Sequence, residues 1–324
     1  MREVFPVTSF PVSPRLRAYG IVAVCALGAA GLTVGITLAT RSHVPKPARA
    51  QAGRPPLALD LGLRTDPEAV ALRRAADEYN AGKAKQAGAV FRRYHSLEAL
   101  VGSALAAWPG GFGDLGRLER AHPRNSLVQL HYGLGLYWRG DTTAATTAWR
   151  AARRAQPDTS YALRAEDLLY PKFPRGLPTF VPSFTPPAAL AKLSPPRQFA
   201  YLKAHATDPH GELLYGVALQ RLGRQVSALH EFERVSGVEG QVAAAVARFD
   251  KANPSATFSR LGPLAKRFPK SQSVRFHLGL CLLWIGSVAQ AKQELRLTHD
   301  AGPRTPLGLQ AQAFLTSLAK VGTR

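Results

Sequence analysis

The chain repeats itself. Shifted by 146 residues, positions 115–169 lie over 261–315 without a gap, and about one position in three is identical. The shared residues include Leu115/Leu261, Gly116/Gly262, Pro123/Pro269, Val128/Val274 and His131/His277. They continue through Gly133/Gly279, Leu136/Leu282, Trp138/Trp284, Gly140/Gly286, Ala145/Ala291, Pro157/Pro303 and Leu169/Leu315. Glycine, proline and tryptophan kept in register over 55 positions mark a duplication, and a duplicated chain must fold as units that stack on one another.

A shorter unit recurs inside each copy. Tyr132-Gly133-x-x-Leu136 precedes Gly140, then Ala145-x-x-x-Trp149 and Pro157. Leu278-Gly279-x-x-Leu282 precedes Gly286, Ala291-x-x-x-Leu295 and Pro303. Tyr215-Gly216-x-x-Leu219, Gly223 and Ala228-x-x-x-Phe232 form a third instance, and Ala75, Tyr79, Gly82, Ala87 and Phe91 a looser fourth. The spacing predicts helical hairpins. A small residue on the first helix admits the second, and a turn glycine takes the left-handed conformation that ends the first helix. Prolines 123, 157, 269 and 303 stop the second helix of each pair.

At these residues the chain resembles the tetratricopeptide repeat (TPR) family, whose pattern runs large residue, Leu-Gly, Tyr, Ala-x-x-x-Phe and Pro. The opening bulky residue is absent, since Gln129, Glu212 and Arg275 stand there. Segments 96–122 and 238–268 keep helix–turn–helix character with few signature residues. The resemblance implies an all-α fold, an α-solenoid of TPR-like hairpins in two duplicated blocks, 67–169 and 196–320, whose function is binding proteins or peptides. The segment from Pro306 to Lys320 is expected to cap the array.

Ahead of the repeats, positions 18–40 carry no charge. As a helix such a run would rise about 35 Å, enough for a hydrocarbon core of about 30 Å. This predicts a single transmembrane helix behind a short tail, 1–17, and before a Pro/Arg-rich linker, 41–66. A cleaved signal peptide ending at Ala48-Arg49-Ala50 is the rival reading, but the apolar run is long for one and the site stands well beyond it. Arginines flank both sides, so the charge rule leaves orientation open. A short leading tail favours an extracytoplasmic repeat domain. A second proline-rich run, 170–187, carries six prolines and forms the core of a connector, 170–195; its interleaved Phe and Val predict an extended segment lying on apolar surface.

The formal charge of +21 favours anionic partners: acidic lipid, a cell-wall polymer, nucleic acid or an acidic protein. The cations form no concentrated run and no aromatic–basic pattern, and an outward-facing domain disfavours nucleic acid. Cys25 and Cys281 imply no disulfide, because one lies in the apolar run. Cys25 does not read as a lipoprotein cysteine, since Val24 precedes it and apolar sequence continues past it.

Motifs for chemistry are weak. Gly111-Phe112-Gly113-Asp114-Leu115-Gly116 matches a dinucleotide fingerprint but follows a helical segment and Pro109, so it reads as a helix–helix turn. His131 and His277, with Cys281 one turn on, lack the spacing of a metal site and read as hairpin-packing residues. No catalytic residue, cofactor site or metal site is expected, and the chain reads as a non-enzyme. If first helices line the concave face, as the resemblance implies, a peptide groove carries Leu130, Leu134, Tyr137 and Trp138, and again Phe276, Leu280, Leu283 and Trp284. Filling of that groove by 170–187 or an adjacent helix is the alternative, because exposed Trp/Leu stripes aggregate. A membrane-anchored protein-interaction scaffold is therefore the expected function, with a polyanion-binding module as the alternative.

Overall fold

The computed structural model describes residues 52–321. They form fifteen α-helices and one short 3-10 turn and, among the described residues, no strand. The apolar run 18–40 lies outside the described residues. Among the described residues no helix is long and apolar enough to cross a membrane.

Two compact units divide at Gln156 and Pro157. The first holds three hairpins: α1 (Pro67–Asn80) with α2 (Ala84–Phe91), α3 (Leu97–Ala106) with α4 (Phe112–Ala121), and α5 (Ser126–Trp138) with α6 (Thr142–Ala155). The first helices α1, α3 and α5 lie side by side in one layer. The second unit opens with α7 (Ser160–Leu169), an extended run, the 3-10 turn (Ala188–Lys192) and α8 (Pro195–Ala204). Three hairpins follow: α9 (Pro209–Arg221) with α10 (Gln225–Arg234), α11 (Gly237–Ala247) with α12 (Ser255–Arg267), and α13 (Gln272–Trp284) with α14 (Val288–Ala301). Helix α15 (Pro306–Val321) closes the unit, and α9, α11, α13 and α15 form its inner layer.

The helix ends follow local chemistry. Asp66, Asn125, Asp141, Thr159 and Ser271 cap α1, α5, α6, α7 and α13, each accepting from the backbone N–H three residues on. Gly140 and Gly286, with φ of 91° and 79°, turn the chain out of α5 and α13, a conformation that costs other residues free energy. Helix contact explains the small residues. A Cβ on Gly133 would sit 2.5 Å from the Trp149 indole, and one on Gly216 would sit 2.3 Å from the Phe232 ring. Phe232 is fully buried in that notch, which contributes roughly 2–3 kcal/mol relative to leaving it exposed.

Gln129 and Arg275, equivalent positions of the two copies, do matching work. Gln129 Nε2 donates to the Pro123 carbonyl at 3.0 Å, and Arg275 Nε donates to the Pro269 carbonyl at 3.0 Å. A side-chain hydrogen bond to the preceding proline carbonyl thus recurs in both copies.

Helix α7 belongs to the second unit, and Asp158, just before it, bonds to the start of α10. Its carboxylate accepts from Val226 N (2.9 Å), Ser227 N (3.0 Å) and Ser227 Oγ (2.5 Å), supplying the N-cap that Arg224 cannot give to α10.

Candidate peptide groove

Each unit holds one extended, proline-bounded segment against its inner layer, and a buried histidine is the common fixture. In the first unit the segment is Pro55-Pro56-Leu57-Ala58, continuing to Leu61, with Leu57, Ala58 and Leu61 buried. Leu57 N donates to Asn80 Oδ1 at 3.1 Å, Asn80 Nδ2 returns a bond to Leu57 O at 2.8 Å, and Tyr79 Oη donates to Pro55 O at 2.7 Å. The next amide, Ala58 N, donates to His131 Nε2 at 3.0 Å.

In the second unit the segment is 177–184. Phe180 N donates to Gln220 Oε1 at 2.9 Å, Val181 N to His277 Nε2 at 2.9 Å, and Ser183 N to Glu239 Oε1 at 2.7 Å. Phe180, only 1% exposed, stacks on the His277 ring at 4.7 Å and meets Phe232 edge-on at 5.6 Å. The pattern is the same in both units. An amide side chain near the end of the first helix takes one strap N–H, and a histidine on α5 or α13 takes the next.

The histidine chemistry is fixed by its neighbours. Nδ1 of His131 lies 2.7 Å from Leu127 O, and Nδ1 of His277 lies 2.6 Å from Ser273 O. A carbonyl only accepts, so Nδ1 carries the hydrogen; a backbone amide only donates, so Nε2 is bare. Both imidazoles are therefore neutral in this geometry. Burial holds His277 well below the usual imidazole range, at about 4, because a charge there would lose its hydration. Burial likewise pushes the Cys281 thiol up, so it is a small packing group and not a nucleophile.

The second strap has a further anchor at its entry. Lys251, in the turn between α11 and α12, places Nζ 2.5 Å from Asp167 Oδ1 and 2.8 Å from Pro174 O. Asp167 also accepts from Gly176 N at 2.9 Å, and Glu166 accepts from Lys251 N at 3.0 Å. Burial raises the Asp167 pKa, and the Lys251 ammonium opposes that shift. The matching turn of the first unit, Ala107-Trp108-Pro109-Gly110-Gly111, has no lysine.

Leu130, Leu134, Phe276, Leu280, Leu283 and Trp284 are buried, and Tyr137 and Trp138 are half-buried. Four lie in the first unit and four in the second. Phe276 faces Phe314 of α15 at 6.0 Å, Tyr137 meets Trp149 of α6 at 5.6 Å, and Trp284 lies against Phe249 at 5.9 Å. Strap backbone is bonded by Tyr79, Asn80, His131, Gln220, Glu239 and His277. Sequence reasoning missed these roles; the one signal that could have found the histidines is their equivalence in the two copies. The Gly111 to Gly116 run is the turn into α4, where a Cβ on Gly111 would overlap Ala104 O. Among the described residues, no group of three or more His, Cys, Asp or Glu could hold a metal ion.

No protein-family model matches the chain, and no curated protein matches it.

Proposed function

We propose that this chain is a membrane-anchored, non-catalytic scaffold of TPR-like hairpins that binds extended apolar peptide segments by their main chain. Support comes from one observation. Two straps with unrelated side chains, Leu57-Ala58 and Phe180-Val181, are held by matching N–H bonds to an amide side chain and then to a histidine. A groove that reads backbone donors and apolar bulk tolerates many sequences, and the resting chain fills each groove with its own segment. Residues 18–40 would supply the anchor, with the repeats on the extracytoplasmic side.

The test is a labelled peptide covering 177–184, added to the detergent-solubilised full chain bearing Phe180→Asp to evict its own strap. Saturable binding that changes little between 50 and 500 mM salt, and that His277→Ala abolishes, is the expected result. Absence of binding to a chain that stays helical by circular dichroism would overturn the proposal. A polyanion module would instead bind heparin or anionic vesicles with steep salt dependence.

A further inference from the structure

We propose that the second strap is an acid-released latch: a proton taken up by His277 frees segment 177–184 while the helices beneath it stay folded. Nδ1 of His277 donates to Ser273 O, so the nitrogen open to a proton is Nε2, which accepts the Val181 N–H. A proton placed there sets two donors against each other across 2.9 Å, on a fully buried ring. The bond cannot survive protonation, and lifting the strap lets water reach the new charge.

The surroundings offer that charge no partner. The strap, Leu-Pro-Thr-Phe-Val-Pro-Ser-Phe, carries no ionisable side chain. On α13 itself Arg275 is bonded to Glu294 of α14 at 3.0 Å, and Cys281, one turn on, is a buried thiol. Glu239 of α11 is engaged by Ser183 N, and His299 of α14 by the Gly308 carbonyl. Helix α9 presents the uncharged Gln220, while His210 at its start lies against Phe184 at 4.3 Å. Helices α12 and α15 give Leu261, Leu264 and Phe314 to the core, and the cations of α12, Arg260, Lys266 and Arg267, are exposed. Burial therefore outweighs the Ser273 carbonyl and holds the imidazole neutral.

Release is local because of how the strap is fastened. The bonds from Phe180, Val181 and Ser183 N–H all end on side chains, those of Gln220, His277 and Glu239. The helices meet through contacts that the strap does not supply, such as Phe232 in the Gly216 notch and Phe276 against Phe314. On the function proposed above, a peptide held through the same imidazole would leave with the same proton. The release itself does not depend on that reading.

Hydrogen exchange of the full chain in detergent, with no peptide added, tests the latch. Between pH 7 and 4.5 the protection of the Val181 amide, corrected for intrinsic rate, should fall about fiftyfold. That is the factor given by an imidazole pKa of about 4 when closed and about 6.5 when open. At pH 4.5 amides within α9, α11 and α13 should stay about tenfold or more better protected than Val181. His277→Gln, which accepts without titrating, should remove the fall, and Glu239→Gln should keep it. Unchanged protection at Val181 would overturn the proposal, as would exchange of strap and helices together, or a fall that persists in His277→Gln. Should His277→Gln lose its helicity, Glu239→Gln decides: a flat response there assigns the proton to the carboxylate and overturns the proposal.

Discussion

The imidazole of His277 accepts the backbone N–H of Val181 at 2.9 Å, across 96 residues of sequence. A side chain closing on the main chain of an extended segment, in place of a strand partner, satisfies the buried donor in an all-helical setting. Its equivalent, His131 to Ala58, does the same in the first unit.

Burial of this imidazole makes the second unit acid-sensitive. The His277 pKa is lowered to about 4 in the folded chain, against about 6.5 unfolded. The folded state binds fewer protons, so the stability contributed by neutral His277 is complete above pH 6.5. It falls as pH drops through the window toward 4. The loss approaches about 3 kcal/mol below that window. Urea unfolding at pH 7 and pH 4.5 should show the fall, and His277→Gln, which accepts without titrating, should reduce the pH dependence.

Gly216→Ala and Gly133→Ala should each destabilise by about 1–3 kcal/mol, because the new methyl meets an aromatic ring that cannot move without opening the hairpin. Gly279→Ala should cost less, since its nearest neighbour is a Leu295 side-chain carbon at 3.2 Å. Chemical denaturation of the three variants gives the order.

Lys251→Met should cost about 3 kcal/mol or more, because it leaves the Asp167 carboxylate buried beside a single N–H donor. Asp167→Asn in the same chain should recover part of that loss. A double-mutant cycle with a coupling energy near zero would show that the pair is unimportant.

Asp158→Ala removes three hydrogen bonds from the start of α10 and should cost about 1–2 kcal/mol. Amide exchange at Val226 and Ser227 should accelerate before exchange deeper in α10.

The hairpins were legible because each depends on local chemistry: a cap, a small residue opposite a large one, a glycine turn, a closing proline. Gly140, Gly286 and the duplicated Trp positions therefore marked helix ends and pairing correctly. The second strap was legible as an extended apolar segment, whereas the first was read as part of the Pro/Arg-rich linker 41–66, although Leu57, Ala58 and Leu61 are buried. Proline-rich sequence has no periodicity that names its neighbours, and the acceptors Asn80, Gln220 and Glu239 lie on helices whose rotation no spacing rule sets. That rotation also explains why Phe276 packs on α15. Position within a hairpin suggested the groove, but Phe276 packs on Phe314 of the closing helix. The bond from Asp158 to the start of α10 was not legible, because its target is 68 residues away in sequence.

The straps also bear on how the protein is made. Each leaves the ribosome before the helix that fastens it: Ala58 precedes His131 by 73 residues, so its amide meets water until α5 is synthesised and folded. Neither module can close early, and a nascent chain stalled between strap and histidine would expose a greasy trough together with the segment meant to seal it.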